Sequence, residues 1–323
     1  MKNNARFRGI SDFAKRALLT LMLPAVLYAA LCVISPQNFL KGSTLMMLIV
    51  QSLPNLAIGW AMVFGMSVGL FDFSAGARLV FGGLIGVYFS QSFGMAGFII
   101  GCMVGSLVLA VLTGVVYSYL RIPSIITGFA AMLVFESMSV MMAKKMVNAI
   151  DTKYLILGKN PYILIVMLIM FIAVYISFNH TKFGYQIKAI GGNEHVARGM
   201  GINANRLKLM TYIIGGIFLG VATILLVSSA GTVQPQDNMA SMSKCFTPMM
   251  GVMIGMFLTS SNPIIGTFIG ELCITMVSSG LIALKLESRL QNVFVGIFLI
   301  LFMAMQINKG EVGRRLRRKF KTA

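Results

Sequence analysis

Acidic charge is the scarcest resource in this sequence. Nine of its 323 residues are Asp or Glu and 27 are Lys or Arg, so 11% of the chain is charged where a soluble domain carries roughly a quarter. Histidine (2), cysteine (4) and proline (8) are also few. With no polar or proline-rich low-complexity tract, disordered and fibrous classes are excluded. His180 and His195 form no HExxH arrangement and have no cysteine pair beside them, so metal catalysis finds little support and no metal is expected. There is no GxxxxGK[ST] phosphate loop, so any nucleotide engine has to sit on another chain. No nucleophile context suggests intramembrane hydrolysis. Cys32, Cys102, Cys245 and Cys273 are widely separated, without a CxxC pair, and read as packing residues.

Apolar side chains fill the space that charge leaves. They make up 57% of the chain, and the mean hydropathy is +0.85. A spanning helix needs about 20 mostly apolar residues, so about ten would use roughly 200 positions and leave no room for a large soluble domain. The expected fold is all-α, a polytopic membrane helix bundle of about ten transmembrane helices. Apolar runs fall near 17–34, 44–69, 79–89, 95–120, 124–142, 161–177, 210–229, 246–258, 263–284 and 293–306. Pro54 inside the second favours a kink. Gly97, Gly101 and Gly105, and the pairs Gly216/Gly220, Gly251/Gly255 and Gly266/Gly270, mark small faces suited to close helix contact.

The formal charge of +18 would suggest a nucleic-acid partner in a soluble chain, but its distribution argues for a bilayer instead. The expected organisation is a basic tail at 1–16, a transmembrane domain at 17–308 with one long polar loop at 179–208, and a second basic tail at 309–323. An even number of spans puts both tails, Arg78, Arg121 and the polar loop on one side. Nineteen of the 27 basic residues then face the cytoplasm and eight face outward, as the positive-inside rule requires. The basic start followed by an apolar run reads as a retained span rather than a cleaved signal.

Polar groups inside the apolar runs are the candidate pathway residues. Glu136 and Glu271 would be costly against lipid and read as translocation-path residues, neutralised acids or structural pairs. Gln51, Asn55, Trp60 and Phe73, with Phe71, Gln91 and Phe135, suit an aromatic-lined cavity for a hydroxyl-rich solute, or serve as helix cross-links. Asp72 and Ser74, in LFDFSAGAR at 70–78, can cap a broken helix or line the path.

The most specific stretch is TKFGYQIKAIGGNEHVARGMGINANRLKLMTY, residues 181–212. Its AxGGNExxAxxxGI pattern resembles the cytoplasmic coupling loop of the integral permease subunit of bacterial ATP-binding-cassette importers of the ribose, galactose and xylose group. LFDFSAGARLVFGGLIG at 70–86 is similar to the same family, with Asp72, Phe73, Ser74, Ala75 and Gly76 standing where members commonly carry Asp, Leu, Ser, Val, Gly. The likeness covers nearly the whole chain. It departs at 253–266, MIGMFLTSSNPIIG, where many relatives have LGGTSLAGGKG.

The resemblance implies a loop that docks in a cleft of an ATP-binding subunit. Gly191, Gly192, Asn193 and Glu194 would shape its entry, Ala197 and Arg198 would lie on a short helix, and Gly201 and Ile202 would turn toward the next span. It further implies a non-enzymatic permease in the bacterial cell membrane, with both termini cytoplasmic. ATP and Mg2+ would be held by the partner ATPase, a second permease would complete the path, and an extracytoplasmic binding protein would deliver a small sugar or related solute. Nucleoside or branched-chain amino-acid import, and a non-transporting assembly role, are the alternatives.

Overall fold

The computed structural model describes residues 21–144, 148–258 and 262–285, with 293, 296, 297 and 300. The two basic tails, nearly all of the expected 293–306 span and residues 259–261 of the divergent segment lie outside the described residues. In chain order the helices are α1 (Leu21–Ile34), α2 (Pro36–Phe39), α3 (Gly42–Met66), α4 (Ser74–Leu120), α5 (Ser124–Ala143), a 3-10 helix (Thr152–Gly158), α6 (Tyr162–Asn179), α7 (Lys182–Gly192), α8 (Glu194–Gly199), α9 (Ala204–Ala230), α10 (Met242–Leu258) and α11 (Pro263–Ala283). Among the described residues the only β-contact is an isolated bridge between Ala149 and Thr232. Apolar segments in lipid have to satisfy their backbone internally, which selects helices. Six of them, α3, α4, α5, α6, α9 and α11, are long and apolar enough to cross a membrane.

The helix boundaries follow from local chemistry. The side chains of Thr181, Asn193, Asn203 and Asn262 accept backbone N–H groups at the starts of α7, α8, α9 and α11, satisfying donors that helix geometry leaves open. α3 continues through Pro54. α10 begins at Met242 and α9 at Ala204, both earlier than their apolar runs.

α4 corrects the expected start of the third span and explains its end. Its 47 residues would reach about 70 Å if straight, far beyond a hydrocarbon core of about 30 Å. Gly94 breaks it with φ 62° and ψ −145°, a conformation open to glycine and costly for other residues. The limbs 74–93 and 95–120 fold back on each other: a Cβ on Gly101 would sit 2.8 Å from the Gly86 Cα, and one on Gly105 would sit 3.2 Å from the Gly82 Cα. The four-residue glycine spacing therefore packs one limb of α4 against the other.

Two compact units emerge. In residues 53–249, α4 packs chiefly on α9 and α5, around Val80, Leu84, Val87, Phe98, Cys102 and Val227. Phe64 of α3 lies at the centre of a ring cluster. It stacks on Phe218 at 5.6 Å and touches Phe178 and Phe183, which ties α7 to the apolar helices. In the described part of 1–52 and 250–323, Leu31, Phe39, Leu48 and Met276 form the core. There α10 and α11 touch backbone to backbone: a Cβ on Gly266 would meet the Gly255 Cα at 3.1 Å, and one on Gly270 the Gly255 N at 3.0 Å.

Candidate functional site

The polar loop folds into a helical hairpin. α7 leans on the end of α6 and on the turn after α3, because Gly184 and Gly191 have no side chain to collide with the carbonyls of Phe178 and Ser67. Gly192 ends α7. Asn193 then caps α8, its side-chain oxygen accepting the Val196 N–H at 3.1 Å. Ala197 is buried, and its carbonyl accepts the Ile202 N–H after Gly201 turns the chain at φ 85°. α8 is thus a short helix entered through Gly191, Gly192 and Asn193 and left through Gly201.

Glu194 is the electrostatic centre of the hairpin. Its carboxylate accepts from Arg198 Nη2 at 2.7 Å, one helical turn on, and from Lys208 Nζ at 2.9 Å, across on α9. Lys208 foremost, then Arg198, hold this acid below the usual carboxylate range. A depressed acid contributes stability that is present above its unfolded value, about 4.3, and lost as pH falls through the lower folded one. Amide-exchange protection of α8, corrected for intrinsic rates, should therefore hold from pH 7 to about 4.3 and fall below it, and Glu194→Gln should abolish the transition. Glu194 is partly exposed, so the effect is local rather than global.

The pathway candidates divide by surroundings. Asp72 Oδ1 accepts the Ser74 N–H at 3.0 Å and its hydroxyl at 2.6 Å, supplying the cap that Phe73, at the N-cap position of α4, cannot offer. Asp72 Oδ2 pairs with Arg78, and both are largely buried. These two charges line a narrow cavity with Met62, Met66, Thr211, Tyr212 and Leu219. Phe73 stacks on Phe129 at 4.8 Å. Trp60 is buried and lies 5.5 Å from the Phe171 ring, and Asn55 is half-buried; neither lines that cavity.

Glu136 is tied to backbone: its two oxygens accept the N–H groups of Met239 and Ser241, each at 2.8 Å. In the other unit, Gln51 accepts a 3.4 Å bond from Ser279. Glu271 is fully buried with neither carboxyl oxygen hydrogen-bonded, packed where Gly251 leaves room for it.

Sequence reasoning missed Arg78 and Lys208 as partners. Arg78 was legible as the single base near the single acid in an apolar stretch. Lys208, fourteen residues from Glu194, becomes a partner only once α8 folds back on α9.

A polytopic helical membrane protein with a capped, charged hairpin between its apolar helices is the class these features define. Residues 44–303 match the family model described as branched-chain amino acid transport system / permease component, and the chain belongs to that family of permease components. It is 25% identical over 320 residues to the ribose import permease protein RbsC of Escherichia coli K12, covering 91% of this chain and 94% of that one. The D-allose transport system permease protein AlsC of Escherichia coli K12 is 24% identical over 300 residues, 88% of this chain and 90% of the relative. The autoinducer 2 import system permease protein LsrC of Photorhabdus luminescens is 24% identical over 301 residues, 88% of each. No solved structure matches significantly.

Proposed function

We propose that this chain is the permease subunit of an ATP-driven importer for a small sugar or related hydroxylated solute, and that its α7–α8 hairpin receives work from a separate ATPase. The observation that carries the solute class is end-to-end similarity to permeases named for ribose and D-allose. The family description, which names branched-chain amino acids, favours that solute as the second reading. Ten crossings are the reading we favour: the two limbs of α4, the other five long helices, the shorter α1 and α10, and the 293–306 run. Both basic tails and the hairpin then lie on the cytoplasmic side, in a bacterial cell membrane. ATP and Mg2+ belong to the partner ATPase, a second permease completes the path, and an extracytoplasmic protein delivers solute.

Support for docking comes from the hairpin surface. Val196 and Met200 are 55% and 67% exposed on a loop otherwise rich in charge, an arrangement that suits insertion into a partner cleft. Gly191, Gly192, Asn193, Glu194, Ala197, Arg198, Gly201 and Ile202 form the docking element in this reading. Deleting Gly191 and Gly192 should abolish co-purification of the ATPase, and Glu194→Gln should weaken it several-fold, with membrane insertion unchanged in both. Undiminished co-purification after the deletion would overturn the coupling role.

A further inference from the structure

A second polar pocket lies where α4 ends and α8 meets the start of α9. Arg121, Arg198 and Lys208 line it together with Tyr117, Ser118 and Asn205. Arg198 and Lys208 share the single carboxylate of Glu194, which does not line the pocket, and Arg121 has no carboxylate partner among the described residues. The cluster therefore carries an excess of two positive charges. Ser118 Oγ is buried and without a hydrogen bond, and Asn205 accepts from Arg198 at 3.3 Å, which leaves its amide nitrogen available. Arg121 itself sits at φ 55°, a left-handed conformation that a side-chain-bearing residue rarely adopts.

Exposed aliphatic residues neighbour the pocket's lining residues in sequence. Val116 and Leu120 at the end of α4, and Ile125 and Ile126 in the first turn of α5, are exposed. Cations grouped at the end of apolar helices, next to exposed aliphatic side chains, are complementary to a molecule that is anionic at one end and hydrocarbon at the other. A free phosphate would use only the polar half of this surface, and an acidic protein side chain would leave the aliphatic half uncovered.

We propose that the Arg121–Arg198–Lys208 pocket binds the phosphate of an anionic phospholipid, whose acyl chains run along Val116, Leu120 and Ile126. The guanidinium groups and the lysine ammonium donate charge-assisted bonds to the phosphate oxygens, with Ser118 and Asn205 as neutral donors. A bound lipid would brace the base of the α7–α8 hairpin against the end of α4. The proposal is independent of the transported solute; Arg198 is shared with the docking element, so Arg121 and Asn205, which lie outside that element, are the residues that test the lipid site separately.

The test is native mass spectrometry of the full chain in detergent, titrated with phosphatidylglycerol, phosphatidylethanolamine or inorganic phosphate. One phosphatidylglycerol per chain should be retained in preference to phosphatidylethanolamine, with inorganic phosphate competing weakly. Arg121→Gln should lower its apparent affinity roughly five-fold, as loss of one interfacial cation implies. Lys182→Gln, which removes an exposed charge from α7 outside the pocket, should leave it unchanged. Asn205→Asp, an exposed substitution that gives Arg198 a carboxylate, should also weaken retention and stands in if Arg121→Gln does not elute as a folded chain. Equal loss with Lys182→Gln, equal retention of both lipids, or phosphate competing as well as lipid would overturn the proposal. No retention by the chain alone, with Arg121-dependent binding of the ATPase instead, would assign the pocket to an acidic protein partner and overturn it too.

Discussion

Asp72→Ala should destabilise this permease by about 3–5 kcal/mol, the usual cost of removing one partner from a buried ion pair. The Arg78 side chain is only 6% exposed, and its guanidinium would be left uncompensated beside Tyr212 and the methionines of the cavity wall. The same change removes the cap that Asp72 gives to the start of α4 through Ser74. Most of the loss is the isolated charge rather than the bond itself, so Asp72→Asn combined with Arg78→Met should be considerably milder than Asp72→Ala alone. Unfolding of the full chain in detergent, by heat and by denaturant, reads the difference. A double variant as unstable as the single one would show that the pair holds the fold by its own strength. If Asp72 also contacts solute, the double variant should remain folded and lose uptake.

Glu136→Leu is expected to be the second most damaging substitution. It strips an acceptor from two backbone amides at once, and the one that is buried, the Ser241 N–H, costs about 1–3 kcal/mol when orphaned. The segment it holds is strained: Asn238 and Met239 both have positive φ, at 54° and 65°, which a methionine rarely adopts. Ser241, the second donor, is fully buried. The carboxylate thus holds the approach to α10 in a shape that its own residues would not favour. Glu136→Gln keeps one oxygen acceptor and should cost clearly less. Exchange protection at the Met239 and Ser241 amides should vanish in Glu136→Leu and persist in part in Glu136→Gln. Uptake lost in Glu136→Gln with protection and assembly intact would instead place this carboxylate on the solute path.

These two sites show where sequence was informative. Asp72 and Arg78 are six residues apart in an otherwise apolar stretch, so local chemistry alone suggests a cap and a pair. Glu136 meets its partners more than one hundred positions away, and no periodicity encodes that meeting. The same divide runs through the fold. Apolar run length locates the long helices because lipid imposes it. Glycine spacing marks faces for close approach, and Gly251, Gly255, Gly266 and Gly270 do meet across α10 and α11. It does not name the partner: Gly101 and Gly105 pack on the other limb of α4, whereas Gly216 meets Ala110 and Gly220 meets Met103. Helix starts at Ser74, Ala204 and Met242 precede their apolar runs because caps and turns, not hydropathy, set them. In the hairpin, GGN and the later Gly201 were readable as turn chemistry, while the reach of Lys208 to Glu194 depended on tertiary folding.

The central claim is that ATP hydrolysed by a partner subunit drives solute through this chain by way of the α7–α8 hairpin. Its most direct test is uptake into proteoliposomes holding the permease and its ATPase, with the solute-binding protein outside and ATP within, screened over pentoses, hexoses, nucleosides and branched-chain amino acids. The account predicts ATP-dependent accumulation of a small sugar that disappears when Gly191 and Gly192 are deleted, although the ATPase alone still hydrolyses ATP. Accumulation that needs no ATP, or that survives the deletion, would contradict it.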